Sequence, residues 1–135
     1  MSIQSRRVPA SLSRAMAIVL LALLVAAPTF AKPSNKWRVE MDGRAKVDGE
    51  IELSIAQGGG EPTVVVIAIP KGTSENAAAR IARDRLREVF GKDVYQVEVD
   101  DGEDVLIKAK RGTRDFDLVL VRNTADGLRL DLERE

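Results

Sequence analysis

The chain has 135 residues, with 21 basic and 21 acidic side chains and neither histidine nor cysteine. Without imidazole or thiol there is no Ser-His-Asp triad, no usual zinc site, no cysteine nucleophile and no disulfide, so most hydrolytic and redox designs are closed, while paired carboxylates and a Ser-Lys dyad stay open. Aromatic residues make up 4% of the chain, too few for a base-stacking platform, and no basic stripe offers a footprint for nucleic acid.

Arg6, Arg7 and Arg14 lead into an uncharged apolar run from Ala15 to Ala27, which Pro28-Thr29-Phe30-Ala31 closes with small residues. This is the layout of a secretory signal peptide over residues 1–31, cut after Ala31 or, as the next choice, after Ala27. The run is shorter than the ~20 apolar residues a membrane-spanning helix needs, so no stable span is expected once the signal is removed. Val8-Pro9-Ala10 follows Arg6-Arg7 where a twin-arginine signal carries a bulky apolar pair, which points to export in the unfolded state. Removal of residues 1–31 takes away three arginines and no acid, leaving 18 basic and 21 acidic groups. The remaining length suits one domain. The expected location is the bacterial periplasm or the medium, and the lack of cysteine rules out a lipoprotein anchor.

Residues 32–36 read as a flexible polar leader. Trp37 to Met41 then alternates apolar and charged residues, as a strand with one wet face would. Asp42-Gly43 and Asp48-Gly49 are turn dipeptides before the alternating Ile51, Leu53 and Ile55, and the register of this first hairpin is open. Residues 57–62 read as a flexible connector, and the unbroken apolar run from Val64 to Ile69 as a strand covered on both faces, hence central in its sheet. One helix follows. Thr73 or Ser74 is its N-cap, Glu75 suits the positive end of its dipole, and Gly91 supplies its stop. Ala78, Ile81, Ala82, Leu86, Val89 and Phe90 form its apolar stripe.

The C-terminal third reads as a four-strand meander, with Tyr95, Val97 and Val99 inward on its first strand and Leu128, Leu130 and Leu132 inward on its last. A Gly112-Thr113 turn would set Lys110 against Asp115 and Lys108 against Asp117 on the wet side, and Ala109, Ile107 and Val105 against Phe116, Leu118 and Leu120 on the other. The expected fold is α+β: a single domain over residues 37–135, with an antiparallel sheet of six or seven strands and the helix packed on one face.

A strand ending in Pro70-Lys71-Gly72-Thr73, an alanine-rich helix, Tyr95-Gln96-Val97-Glu98-Val99 and the run Val105 to Phe116 together resemble the small β-α-β-β module of phage tail and flagellar hook-associated proteins. The resemblance covers residues 64–121 and lacks the Ile-Asn pair that ends the helix in that family. It implies a structural or surface-binding module without catalysis, and it carries over no site residues.

Two groups of side chains stand out. If Val99 faces Val105 across the turn Asp100-Asp101-Gly102-Glu103-Asp104, then Asp100 faces Asp104, a like-charge pair that Ca²⁺ could neutralise. Arg80, Arg83 and Arg87 share the outer helix face and could grip an acidic partner, although Asp84 and Glu88 mix the sign of that face. The function expected from these features is an exported, non-catalytic domain with a binding or structural role, its partner an envelope protein or a polysaccharide, with no cofactor. Inhibition of an envelope enzyme is a variant of that role. The alternative is a carboxylate-dependent enzyme acting on glycans through Asp100, Asp101, Glu103 or Asp104, which would need acids opposed across a cleft.

Overall fold

A computed structural model describes residues 32–135, and the expected signal peptide lies outside them. Alternation of apolar and polar side chains produces seven strands here: β1 (Lys36–Gly43), β2 (Gly49–Gln57), β3 (Thr63–Ile69), β4 (Tyr95–Asp100), β5 (Asp104–Ala109), β6 (Phe116–Asn123) and β7 (Leu128–Arg134). One helix, α1 (Glu75–Phe90), separates β3 from β4. The fold is α+β, as expected, but the strands form two antiparallel sheets and not one, in the orders β4-β5-β1-β7 and β3-β2-β6.

Each strand turns its apolar set toward one shared core. Trp37, Val39 and Met41 of β1, Ile51, Leu53 and Ile55 of β2, and Val65, Ile67 and Ile69 of β3 are all buried there with Val105, Ile107 and Phe116. Tyr95 stacks edge-on between Phe90 and Phe116, with ring centroids 5.0 and 4.8 Å away. The indole of Trp37 donates to the Phe116 carbonyl at 2.9 Å, tying β1 of one sheet to β6 of the other. Ser34 pairs with Phe116 as well, so the polar leader is tied down from Ser34 onward.

The pairing corrects three expectations. First, β5 and β6 are not a hairpin: β5 lies between β4 and β1, and β6 lies on β2. The inward and outward assignments of Val105, Ile107, Phe116 and Leu118 were right, but agreement of two faces selects a register only when the two strands are neighbours. Lys108 lies opposite Lys36 and Asp117 opposite Ala56. Second, β1 and β2 do not pair either. The segment between them crosses from one sheet to the other, and Gly43 and Gly127 meet at that crossing. The connector at 57–62 is instead the turn of the β2–β3 hairpin. Third, β3 is an edge strand, not a central one, with Val64 and Val66 exposed on its outer face.

The helix follows its sequence signals. Ser74 accepts the Ala77 amide, Gly91 sits at φ 71° and returns its amide to the Arg87 carbonyl, and Ala78, Ala79, Ala82 and Leu86 are buried. Small alanines let the helix approach both sheets, where it contacts β3 and β4, an edge strand of each. Arg85 donates to the Val66 carbonyl of β3 at 3.0 Å, and Arg87 donates twice to the Val97 carbonyl of β4 at 2.9 and 2.6 Å. Two arginines thus reach the outward carbonyls of the two edges. Val89, expected in the apolar stripe, is exposed. No helix among the described residues is long and apolar enough to cross a membrane.

Candidate functional site

The four-stranded sheet presents its wet face as a lateral arrangement of charge. Asp100 of β4 is opposite Asp104 of β5, Asp104 is opposite Glu40 of β1, and Glu40 is opposite Asp131 of β7. Register partners share a face, so four carboxylates stand in one row, one from each strand. Like charges directly opposite one another disfavour the sheet, and this row repeats that arrangement at every neighbouring pair.

Arg38 relieves one end of the row. Its guanidinium contacts Asp104 at 2.5 Å and Asp100 at 3.3 Å, and its Nε reaches Glu135 at 2.5 Å. The opposed Asp100–Asp104 pair expected from the turn is present, and an arginine from β1 occupies the place between them that the sequence offered to Ca²⁺. Asp104 is only 8% exposed. Glu135 also pairs with Lys36, and hydrogen bonds from Lys36 and then Arg38 hold its carboxyl below the usual carboxylate range.

Among the described residues, no ion pair relieves the other end, although Arg38 is the register partner of Glu133. Glu40, Asp131 and Glu133 are exposed, and their carboxylate oxygens lie within 4.8 Å of one another. Asp104 first, then partial desolvation, Glu133, Asp131 and Glu103 push the Glu40 carboxyl above its ordinary range. Opposite signs follow for stability. Glu40 binds a proton more readily in the folded state, so its contribution falls as pH rises from the ordinary carboxylate range through its raised value. Glu135 contributes above the ordinary range and loses that contribution as pH falls through its lowered value. At neutral pH, Glu40→Gln is therefore expected to raise the melting temperature by roughly 1–3 °C and Glu135→Gln to lower it by a similar amount. Both differences vanish well below the carboxylate range. Melting curves across pH check this, and a neutral-pH loss on Glu40→Gln would contradict it.

The helix arginines do not converge. Arg80 is exposed, Arg83 turns back to its neighbour Asp84 at 2.9 Å, and Arg87 is committed to Val97. Asp101 sits in the β4–β5 turn with φ 49°, away from the row formed by the strand residues. No family model, curated protein or solved structure matches the chain. Glu40, Asp131 and Glu133 escaped the sequence analysis as site residues. Alternation placed each on a wet face, but nothing local to β1 or β7 says that those strands are neighbours.

Proposed function

We propose that this protein is an exported, non-catalytic binding domain and that the wet face of its four-stranded sheet is a contact surface for a cationic partner, in the first instance a basic patch on another envelope protein. The observation that carries the reading is the exposed end of the carboxylate row, Glu40 and Asp131, with Glu133 beside them and no ion pair to any of the three among the described residues. The fold draws nothing from these side chains, since the core is built from the opposite faces of the same strands. A positively charged surface laid across them would remove a repulsion that the free protein carries, which favours association and speeds encounter. The absence of imidazole and thiol, and the leader at 1–31, support the non-catalytic and exported parts of the reading. The module resembled by residues 64–121 implies the same class of role.

An arginine-rich peptide titrated calorimetrically into the protein at low salt tests it. Glu40→Gln/Asp131→Asn is expected to weaken binding by about tenfold, or roughly 1.4 kcal/mol. A charge-matched control at exposed positions off this face, Glu61→Gln/Asp115→Asn, should leave it almost unchanged. Equal losses from the two double variants would reduce the effect to net charge and defeat the proposal.

A further inference from the structure

Among the described residues β3, Thr63–Ile69, has a neighbour on one side only and carries no charged side chain along its length. In its register with β2 the alternate residues Val64, Val66 and Ala68 turn their amides and carbonyls to the open edge. Among the described residues, the one hydrogen bond to those groups comes from Arg85 to the Val66 carbonyl. The usual guards of an edge are missing from β3: it has no charge, no proline and no bulge, and Pro62 and Pro70 stand just outside it. The other edge strand beside the helix, β4, is guarded by the outward Gln96 and Glu98 and by the doubly donating Arg87.

A groove runs beside the β3 edge, lined by Val66 and Ala68 of the strand and by Ile81, Asp84, Arg85 and Glu88 of the helix. Ile81, Arg85 and Val89 are spaced four apart and so fall on one side of α1, and Val89 is 37% exposed. These features are self-complementary. A two-fold axis through Val66 would pair two β3 strands antiparallel, Val66 with Val66 and Val64 with Ala68, and would set two α1 helices antiparallel beside each other. Ile81 would then meet Val89 of the partner subunit, flanked on each side by the Arg85–Glu88 ion pair within its own helix. Such an interface is isologous and closed, so it stops at two copies.

We infer that the protein forms a homodimer through the β3 edge and the Ile81-Arg85-Val89 side of α1, joining the two three-stranded sheets into one of six strands. The inference is independent of the acidic face, which lies on the other sheet. In the monomer Arg85 caps the edge by holding the Val66 carbonyl. Pairing exchanges that bond for ladder bonds between the two Val66 residues, while the guanidinium keeps its ion pair with Glu88 of its own helix, 3.2 Å away. Weak, concentration-dependent association is the behaviour expected of an edge that the single chain tolerates open, with a Kd of roughly 1 μM or weaker.

Sedimentation equilibrium of the full purified protein over about 1 μM to 1 mM, spanning that affinity range, should show mass rising from monomer to dimer and no further. Val66→Pro removes an outward amide that the β2 ladder does not use, so the variant should melt close to the parent and dissociate at least about tenfold more readily. Should Val66→Pro fail to fold, amide exchange on the parent decides: the Val64, Val66 and Ala68 amides should slow at least about tenfold between the dilute and the concentrated sample, as expected of open-edge amides that gain ladder partners. A protein that stays monomeric to the top of that range, or a dimer that forms without slowing these amides or that folded Val66→Pro leaves intact, overturns the inference.

Discussion

Gly127→Ala is expected to remove most of the stability of the domain. A Cβ at this position would lie 2.3 Å from the Arg44 carbonyl oxygen, a backbone atom, and 2.9 Å from the Lys46 side chain. The residue also sits at φ 91°, where an L side chain is strained. Neither side of the clash is free to retreat. Arg44 donates to the Gly127 carbonyl at 3.1 Å, Lys46 donates to Asp126 at 2.7 Å, and Ala45 in between exchanges hydrogen bonds with Thr73 and Gly72 at 2.9 and 2.7 Å. Strain and overlap together should cost about 3–5 kcal/mol, against a total stability of roughly 5–15 kcal/mol for a domain of this kind. Gly112→Ala isolates the conformational part. That residue has φ 87° with no atom near its would-be Cβ, so it should lose only about 1–2 kcal/mol. Urea unfolding followed by far-UV circular dichroism compares them. Equal midpoints for the two variants would mean that the crossing is looser than its hydrogen bonds imply.

Trp37→Ala should rank next. Trp37 is the only tryptophan, 4% exposed, and its indole N–H bonds the Phe116 carbonyl. Truncation opens a cavity at the point where β1 of one sheet meets β6 of the other, and such losses run to about 3–5 kcal/mol. Trp37→Phe should cost less, about 1–2 kcal/mol, because the ring volume is largely kept and the Phe116 carbonyl retains the Ser34 amide at 2.9 Å. The same unfolding measurement reads both. If the two variants were equally stable, the indole would be contributing its hydrogen bond and little packing.

Local features of the chain were readable and lateral ones were not. Period-two alternation put Trp37, Val39 and Met41 inward and Arg38 and Glu40 outward, and the helix obeyed its caps at Ser74 and Gly91. The Asp100–Asp104 pairing followed from a short turn, because a tight connection leaves two strands little choice of partner. Choice returns as soon as the connection can cross between sheets. Lys108 and Asp117 suit each other in charge, yet β5 takes β1 as its second neighbour, and the cost of setting Lys108 beside Lys36 is offset by Glu135, which pairs with Lys36 from beyond β7. The acidic row needed the order of four strands, which no single segment encodes. Val64 to Ile69 shows the reverse case: its composition describes two covered faces, while the monomer leaves one of them open.

The position of β1 has a consequence for how the molecule comes into being. Its two neighbours, β5 and β7, begin at Asp104 and Leu128, so the first strand made waits for nearly the last before its sheet can assemble. Long-range closure of this kind slows folding. A chain emerging stepwise from a ribosome keeps Trp37, Val39 and Met41 without their final shelter until β7 has appeared.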